Sequence, residues 1–476
     1  MRVNGDIVSM TSYPIADWHP DISQRTGPVY RAIAAALHDD VVSGRLPPGS
    51  RLPTHRDLAW KLKVTVGTIT RAYQEAERQG LVGGEVGRGT FVQDPRRLPN
   101  APLEPPPAAD IIDLSVNSSA VWPDAPVLRK ALAGVAARAD LSALMGYNHT
   151  NGATRLRRAA SVWIEETAAL SVPDERVLIT AGGQGGLHAA FSTLTRPGDA
   201  VLVEQLTYPG VKALASLLGL RLIPVPMDKD GLLPDAVGAL AAQHGAHTLY
   251  CMPTLQNPTT ATMPLERRKA LVEVARRIGL TLVEDDVYGF LNPQPLATLA
   301  EIGPDVTVYV TSLSKSLFPG LRTGFIVPPE PLWERTATML RASLLSTAHL
   351  GTIAAAELIE SGEAGGIAAR RRALVAERQG LARRVLGQEP AGSDPRITHL
   401  WLTLPEAWRR EEFARELMAR RIKVTPADAF TVARGDTPHA VRICLCSVDR
   451  EDQLESALHV VANLLTEPTA VMTTLV

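Results

Sequence analysis

The chain has 476 residues, enough for two or three domains. With 45% apolar and 21% charged residues, it is too hydrophobic for a mostly disordered protein. Its 49 Lys and Arg and 50 Asp and Glu give a net charge of −1, which excludes a globally basic nucleic-acid binder but leaves room for a local basic patch.

Cysteine content and hydropathy indicate in which cellular compartment the protein works. Cys251, Cys444 and Cys446 are too few for a disulfide framework and favour a reducing environment. No stretch approaches the ~18 apolar residues that span a membrane, and the N-terminus lacks the apolar stretch of a signal peptide. We therefore expect a cytoplasmic protein that has no membrane partner.

After an N-terminal extension at residues 1–27, local signals in residues 28–92 predict a winged helix-turn-helix. Apolar residues at helical spacing favour a first helix, and Thr54 and Thr65 can cap two further helices, because a threonine hydroxyl accepts from a free N–H of the first turn. The Gly-rich segment that follows favours two short strands. The predicted elements are helices over 28–42, 55–63 and 66–80 and strands within 81–92.

A helix-turn-helix binds DNA by placing the start of its second helix in the major groove. The charge pattern agrees, since residues 45–92 hold eight Lys or Arg against four Asp or Glu, a local charge of +4. The candidate DNA contacts are Arg56, Thr65, Thr68, Arg71 and, at the tip of the wing, Arg88. The alternative is a small helical docking domain with an incidental hairpin.

The segment LPTHRDLAWKLKVTVGTITRAYQEAERQGLVGGEVGRGTFV resembles the GntR family of bacterial transcription regulators, over about residues 28–92. The family commonly has arginine near the start of the recognition helix, where this chain has Val66 and Gly67. We therefore expect Thr68 and Arg71 to contact the bases, and Arg56 and Arg88 to contact DNA phosphates.

A proline-rich segment at 93–110 separates this module from the rest of the chain. Its six prolines in eighteen residues exclude a helix interior or a central strand and favour an extended, semi-rigid linker. The alternative is a long irregular loop inside one domain. Because each side shows a complete pattern of its own, we expect separate domains.

Residues 111–470 alternate between apolar strand candidates and helical patterns such as 264–279, which indicates an α/β domain with a mainly parallel sheet. The strand candidates are 176–180, 200–204, 221–225, 248–252, 280–285, 306–311 and 324–327. Three later candidates, at 399–404, 421–426 and 441–447, predict a small C-terminal α+β lobe. We expect a large lobe at about 140–330 and a small lobe made of 111–139 plus 331–470.

Lys315 lies in a Ser-rich turn after a strand candidate, within TSLSKSLFPGLRTGF (311–325). A lysine in desolvated surroundings can lose its proton and form a Schiff base with an aldehyde. The nearby serine hydroxyls and Arg322 suit a phosphate monoester. Pyridoxal 5′-phosphate carries both an aldehyde and a phosphate.

Further segments offer partners for the other parts of that cofactor. Asp285 ends a strand candidate, where open α/β sheets place ligand groups, and can pair with a protonated pyridine nitrogen. Tyr288 and Asn257 can hydrogen-bond the phenolate oxygen, and Tyr208 can stack on the ring. A Gly loop before a helix, with Gln184, suits the phosphate.

Arg442, on a late strand candidate, can hold a carboxylate with its planar guanidinium. Each segment alone has an ordinary explanation, such as helix packing for the Gly loop, a helix cap for the carboxylates or a surface ion pair for the arginine. Their joint order along the chain favours a cofactor site. No dinucleotide or Walker motif is present and no His/Cys cluster has metal-ligand spacing, so we expect no metal.

On these segments, residues from about 111 to 465 resemble the fold-type I aminotransferases. The resemblance implies that Lys315 is the Schiff-base lysine and that Asp285 binds the pyridine nitrogen. It also implies Asn257 and Tyr288 on the phenolate oxygen, Tyr208 on the ring, Gly183, Gln184, Ser312 and Arg322 on the phosphate, Arg442 on the substrate carboxylate, and Tyr147 on the phosphate of the partner subunit.

With the GntR-like module in front, the whole chain resembles the MocR subfamily of regulators, whose members form head-to-tail homodimers. We therefore predict a pyridoxal-phosphate-dependent transcription regulator that binds operator DNA and senses a small amine or amino-acid effector. Two alternatives are a working aminotransferase, for which the necessary groups are present, and a sensor of pyridoxal phosphate itself.

Overall fold

The computed structural model describes residues 18–22, 28–43, 45–47, 49–78, 81–85, 89–92, 110–118, 124–144, 146, 153–387, 393–433 and 437–466. The chain divides into two compact units, residues 1–103 and residues 104–476. None of the helices within the described ranges combines the length and the apolar character that a membrane crossing requires.

The first unit is a winged helix-turn-helix around a small apolar core. Its elements are α1 (Val29–Val42), α2 (His55–Leu62), α3 (Val66–Arg78) and the antiparallel strands β1 (Val82–Glu85) and β2 (Gly89–Val92). Each helix contributes to the core, through residues such as Ile33, Leu58 and Ile69. The predicted helices and hairpin are confirmed.

Both predicted helix caps form. The Thr54 hydroxyl accepts from the Asp57 N–H at 3.2 Å and donates to the Asp57 carboxylate at 2.7 Å. The Thr65 hydroxyl accepts from the Thr68 N–H at 3.2 Å. Each cap satisfies an N–H that has no partner inside its helix, which stabilises the helix by about 1 kcal/mol.

The second unit is built on a large sheet. Its strands are β4 (Leu178–Thr180), β5 (Ala200–Glu204), β6 (Arg221–Val225), β9 (Thr248–Cys251), β10 (Thr281–Asp285), β11 (Thr307–Ser312) and β12 (Gly324–Val327). Across the described sheet the order is β4-β12-β11-β10-β9-β5-β6. Within this described sheet, β12 runs in the direction opposite to the other six strands. All seven predicted strand segments enter this one sheet, so the mainly parallel sheet is confirmed.

Alternate strand residues enter two separate cores, because successive side chains of a strand point to opposite faces. Val201 and Val203 of β5 belong to one core and Ala200 and Leu202 to the other.

The helices of this unit are α4 (Ala125–Ala136), α5 (Leu141–Leu144), α6 (Thr154–Ala168), α7 (Gly182–Leu194), α8 (Pro209–Leu217), α9 (Pro234–His244), α10 (Leu265–Ile278), α11 (Leu299–Ile302), α12 (Leu313–Ser316), α13 (Trp333–Leu344), α14 (His349–Glu360), α15 (Glu363–Leu386), α16 (Arg410–Ala419) and α17 (Glu451–Thr466).

The predicted small α+β lobe is also present. Its strands are β3 (Ile112–Asp113), β13 (His399–Thr403), β14 (Ile422–Lys423), β15 (Thr425–Pro426) and β16 (Ala440–Cys444), and β7 (Met227–Asp228) pairs with β8 (Gly231–Leu232) elsewhere in the unit. An antiparallel sheet has the order β13-β16-β15, and β14 pairs in parallel with β3. The core of this lobe includes Phe413 of α16 and Leu458 of α17.

Several helices that the prediction assigned to the small lobe pack against the large sheet. Val135 of α4, Leu340 of α13 and Ala355 of α14 are buried in the same core as the large sheet, although the prediction assigned their segments to the small lobe. Helical periodicity shows that a helix has an apolar face, but not which sheet covers that face. The placement of these helices therefore needed the tertiary structure.

Candidate cofactor and DNA-binding sites

The carboxyl ends of the parallel strands bring predicted cofactor residues to one edge of the large sheet. Asp285 is the last residue of β10, and Ser312 is the last residue of β11, directly before the α12 helix that carries Lys315. Asn257 follows β9, and β4 leads to Gly182 at the start of α7. Open α/β sheets bind their ligands at this edge.

Lys315 lies in a desolvated position at this edge. Its Nζ donates to the main-chain oxygen of Asn117. Burial lowers the pKa of Lys315 to about 8; the charge of Arg442 acts in the same direction, whereas Cys444 and Asp285 oppose it. A lysine with this pKa has a sizeable neutral fraction near neutral pH, and the neutral amine is the form that attacks an aldehyde.

Asp285 presents an unpaired acceptor. Its Oδ2 accepts from the Tyr250 hydroxyl at 2.9 Å, whereas its buried Oδ1 has no hydrogen-bond partner among the described residues. Burial raises the pKa of Asp285 to about 6, against the opposing effects of the Tyr250 hydrogen bond, the dipole of the nearby Val287 N–H and the charge of Lys315. An orphaned buried acceptor of this kind suits a protonated ring nitrogen, because an unpaired buried polar atom is costly.

The start of α7 forms a cradle for a small anion. Gly182 has a φ of +78°, and a Cβ at this position would lie 2.9 Å from Nη2 of Arg322. That Nη2 donates to the Ala181 oxygen at 3.0 Å. A Cβ on Gly183 would lie 3.4 Å from Cβ of Ser312. The first N–H groups of α7, the Ser312 side chain and the Arg322 guanidinium therefore lie close together, and these are the groups that bind a phosphate.

Tyr208 is held beside this cradle by the first turn of α8. A Cβ on Gly210 would collide with the Tyr208 ring, so the glycine makes room for the ring. The Gln184 Nε2 donates to the Gly210 oxygen at 3.0 Å. One amide hydrogen of Gln184 thus ties α7 to the Tyr208 turn, an interaction that its position in the Gly loop did not indicate.

Arg442, on β16, is 7% exposed and lies between the two lobes. Its Nη1 donates to Oδ1 of Asn257 at 2.9 Å, and its Nη2 donates to the Ser115 oxygen at 2.6 Å. Its guanidinium carbon lies 4.8 Å from the centroid of the Phe430 ring. Asn257 accepts from Arg442 through Oδ1, and its Nδ2 hydrogens are the ones that it can donate to an oxygen such as the phenolate.

Three site residues were missed by the sequence reasoning. Asn117 contacts Lys315 and donates to the Tyr288 hydroxyl at 2.7 Å, Tyr250 donates to Asp285, and His399 lies 3.1 Å from the Asn117 amide. Tyr250 could have been found from the sequence, because it places a hydroxyl on a buried strand next to β10. Asn117 and His399 had none, because they reach the site only through the packing of the small lobe.

The predicted DNA contacts lie in the first unit. Thr65 and Thr68 stand at the start of α3, with their hydroxyls 2.9 Å apart, and Arg56 and Arg71 are exposed. Val66, the first residue of α3, is 46% exposed. Two predicted residues, Arg88 of the wing and Tyr147 of the second unit, lie outside the described residues.

The unpaired acid, the desolvated lysine and the anion cradle fit the ring nitrogen, the aldehyde and the phosphate of pyridoxal 5′-phosphate. Fold and site together define the second unit as a fold-type I aminotransferase-like domain. Comparison with known proteins agrees, since residues 109–461 match the family of class I and II aminotransferases and residues 29–92 match the bacterial regulatory proteins of the gntR family.

Relatives with both domains extend this result. The chain is 30% identical to the uncharacterized HTH-type transcriptional regulator YdeF of Bacillus subtilis, over 97% of this chain and 100% of the relative. It is 28% identical to the pyridoxine biosynthesis transcriptional regulator PdxR of Corynebacterium glutamicum, over 74% of this chain and 77% of the relative. The chain belongs to the GntR-type regulators fused to an aminotransferase domain, the MocR-type architecture, and its first unit is a DNA-binding domain.

Solved structures resemble the second unit. A kynurenine aminotransferase of Pyrococcus horikoshii has a TM-score of 0.68 at 24% identity, over 75% of this chain and 91% of that one, and shows the fold alone. LysN, an α-aminoadipate aminotransferase of Thermus thermophilus, has a TM-score of 0.66 at 26% identity, over 75% and 92%. LysN was solved with N-(5′-phosphopyridoxyl)-L-leucine. With the match to the class I and II aminotransferases, the likeness to LysN identifies pyridoxal 5′-phosphate as the cofactor of this domain.

Proposed function

We propose that this protein is a transcription regulator that binds operator DNA and senses a small amine or amino acid through its pyridoxal phosphate domain. The proposal is carried by the desolvated Lys315 beside the unpaired Oδ1 of Asp285 in a chain that also has a DNA-binding domain. The proposal keeps the predicted domain bounds, with the DNA-binding domain at 28–92, the linker at 93–110 and the cofactor domain at 111–470. A regulator of chromosomal DNA works in the cytoplasm.

In the proposed site, each residue at the sheet edge holds one part of the cofactor. Lys315 binds it covalently through its neutral amine, and Asp285 accepts from the ring nitrogen. The other assignments are Gly183, Gln184, Ser312 and Arg322 on the phosphate, Tyr288 and Asn257 on the phenolate oxygen, and Tyr208 on the ring face. When bound, the cofactor supplies an aldehyde and an electron-withdrawing ring.

The effector class follows from two residues. Only a nucleophilic nitrogen can replace Lys315 on the cofactor aldehyde, so the effector is an amine. Arg442 indicates that the effector also carries an acidic group. Its planar guanidinium matches a carboxylate, and its Nε has no hydrogen-bond partner among the described residues. To change operator affinity, the effector must bind one conformation of the protein better than another.

The proposed assembly is a head-to-tail homodimer, in keeping with the MocR-type architecture. In this assembly Tyr147 contacts the phosphate held by the partner subunit. Light scattering on the purified protein measures the mass in solution, and a monomer at micromolar concentration would contradict the proposed dimer.

Two other functions each have one observation in their favour. The chain is 28% identical to a 2-aminoadipate transaminase of Thermus thermophilus, over 64% of this chain and 78% of the relative, which favours a working aminotransferase. The likeness to the pyridoxine biosynthesis regulator PdxR favours a sensor of pyridoxal phosphate itself. In the first case Lys315 would also have to move a proton off the substrate carbon, whereas sensing needs only its displacement.

One experiment separates these functions. The cofactor-loaded protein is titrated with the standard amino acids and simple amines, while the visible spectrum, keto-acid production and affinity for DNA upstream of its own gene are measured. A sensor of amines gives a spectral shift and a change in DNA affinity with little keto acid. Rapid multiple turnover without a change in DNA affinity supports the aminotransferase. A response of DNA binding to pyridoxal phosphate, and to none of the amines, supports the cofactor sensor.

Arg56 and Arg71 are expected to affect DNA binding in different ways. Arg56→Ala should weaken binding almost equally on specific and scrambled duplexes and lower the salt slope by about 1, because a phosphate contact carries no sequence information. Arg71→Ala, and likewise Thr68→Ala, should alter sequence preference by ~1–3 kcal/mol. Gel-shift titrations at two salt concentrations measure both effects. Equal losses on both duplexes for Arg71→Ala would exclude it from base readout.

The rate of covalent cofactor attachment is expected to rise about tenfold per pH unit below pH 8 and to level off above it, because neutral Lys315 is the nucleophile and its pKa is about 8. An unperturbed lysine, with a pKa of about 10.4, would give a rate that rises well beyond that point. Stopped-flow absorbance after mixing cofactor-free protein with pyridoxal phosphate measures the rate. A profile that keeps rising towards the ordinary lysine pKa would contradict the desolvated state of Lys315.

A further inference from the structure

Asn117 forms hydrogen bonds with groups of both lobes at the cofactor edge. Its Nδ2 donates to the Tyr288 hydroxyl at 2.7 Å and lies 3.1 Å from Nδ1 of His399. Its Oδ1 accepts from the Thr398 hydroxyl at 2.8 Å, and its main-chain oxygen accepts from Lys315. One side chain therefore joins a proposed cofactor ligand to β13 of the small lobe.

The protonation of His399 follows from its surroundings. Its Nε2 lies 3.1 Å from the main-chain oxygen of Pro258, which can only accept, so Nε2 carries a hydrogen. Burial holds the pKa of His399 well below its ordinary value; the charges of Arg442 and Lys315 act in the same direction, against the hydrogen bond to Pro258. The ring is therefore neutral, and its Nδ1 is an acceptor.

A neutral His399 determines which way the Asn117 amide faces. Because Nδ1 of His399 can only accept, the amide group that faces it must be the NH₂ group; the carbonyl would oppose one lone pair with another. The second hydrogen of this NH₂ group is donated to the Tyr288 oxygen. The Tyr288 hydroxyl therefore cannot donate to Asn117, and its own hydrogen is left for another acceptor.

We infer that Asn117 and His399 are positioning residues that direct the Tyr288 hydroxyl hydrogen toward the phenolate oxygen of pyridoxal phosphate. The inference rests on the proposed roles of Tyr288 and Lys315. A hydrogen bond donated to this oxygen draws negative charge away from the neighbouring nitrogen of Lys315. The proton on that nitrogen is then held less tightly, so the amide and the imidazole act on Lys315 through the hydroxyl of Tyr288.

The test is a pH titration of the visible absorption of the cofactor-loaded protein. Tyr288→Phe should raise the midpoint by about one pH unit, the effect of one charge-assisted hydrogen bond. Asn117→Ala and His399→Leu should raise it by less, because the hydroxyl is kept but is free to turn. The other titratable and charged groups near the Lys315 nitrogen, Asp285, Arg442 and Cys444, stay unchanged in these variants.

A double variant and a control make the test specific. Tyr288→Phe combined with Asn117→Ala should titrate like Tyr288→Phe alone, because Asn117 acts only through the hydroxyl. Thr425→Val is the control: it removes a hydroxyl that the small lobe donates to the Ser115 oxygen, 3.1 Å away, and should leave the midpoint unchanged.

The possible failures are distinguishable. A further shift when Asn117→Ala is added to Tyr288→Phe, or unchanged midpoints in both Asn117→Ala and His399→Leu, would overturn the inference alone. A wild-type protein with no cofactor-dependent visible band would instead contradict the proposed function. Asn117→Ala also leaves a gap at a partly buried position, which could itself disturb the site. His399→Leu therefore tests the same pair of residues by changing its other member.

Discussion

Replacing Lys315 with Ala is expected to abolish the covalent attachment of pyridoxal 5′-phosphate while some non-covalent binding persists. The covalent bond needs the amine, whereas the anion cradle at the start of α7 and the carboxylate of Asp285 are unchanged by the substitution. Borohydride reduction followed by mass spectrometry measures the covalent adduct, and equilibrium dialysis measures the residual binding. An undiminished adduct in Lys315→Ala would refute the assignment.

Lys212 offers a matched control. Burial lowers its pKa as well, but its Nζ donates to the main-chain oxygens of Ala429 and Thr431, each at 2.9 Å. The acidic neighbour of Lys212 is Asp428, whereas that of Lys315 is Asp285, the residue assigned to the ring nitrogen, so we do not expect Lys212 to meet the aldehyde. Lys212→Met should therefore retain the covalent adduct, which would show that a lowered pKa alone does not select the reactive lysine.

Replacing Asp285 with Asn is expected to weaken cofactor binding by roughly 10- to 100-fold, the loss of one charge-assisted hydrogen bond. In the wild type, binding should also weaken as the pH falls below about 6, because the pKa of cofactor-free Asp285 is about 6 and its protonated form cannot pair with a protonated ring nitrogen. Fluorescence titration of cofactor-free protein across this pH range measures both effects. Asp285→Asn should lose this pH dependence together with the affinity.

The neighbouring Asp286 is the control for burial of an acid at this edge. Its Oδ2 accepts from the Tyr309 hydroxyl at 2.9 Å, and burial raises its pKa to about 8. Because Asp286 is therefore mostly protonated at neutral pH, Asn is close to it in both shape and charge. Asp286→Asn should leave cofactor affinity nearly unchanged. An equal loss of affinity in both variants would mean that Asp285→Asn weakens binding by destabilising this edge of the sheet, and not by losing a bond to the ring nitrogen.

Much of the fold was predictable because its signals are local. The caps at Thr54 and Thr65 depend on an N–H only three residues away, and the strand segments depend on short apolar runs. The same holds for Asp285 and Ser312, each of which stands at the end of its own strand. Parallel strands then bring these ends together without further information.

Contacts that join distant segments were not predictable in this way. The oxygen of Asn117 meets Lys315 across 198 residues, and its amide meets His399 across 282 residues. These contacts depend on the pairing of β3 with β14 and on the docking of β13, neither of which leaves a periodic pattern in the residues concerned. The burial of α4, α13 and α14 against the large sheet has the same cause.

The two kinds of domain, the strands of the large sheet and the residue types at its ligand edge were thus predictable from the residues alone, because each depends on neighbours within one element. The groups that hold those residues in place become known only from the packing of the folded chain. Tyr250 leaves one oxygen of Asp285 unpaired, and Asn117 places an amide against the hydroxyl of Tyr288. The physical reason is that hydrogen-bond partners are set by the packing of the lobes, whereas strands and helices are set by local periodicity and capping.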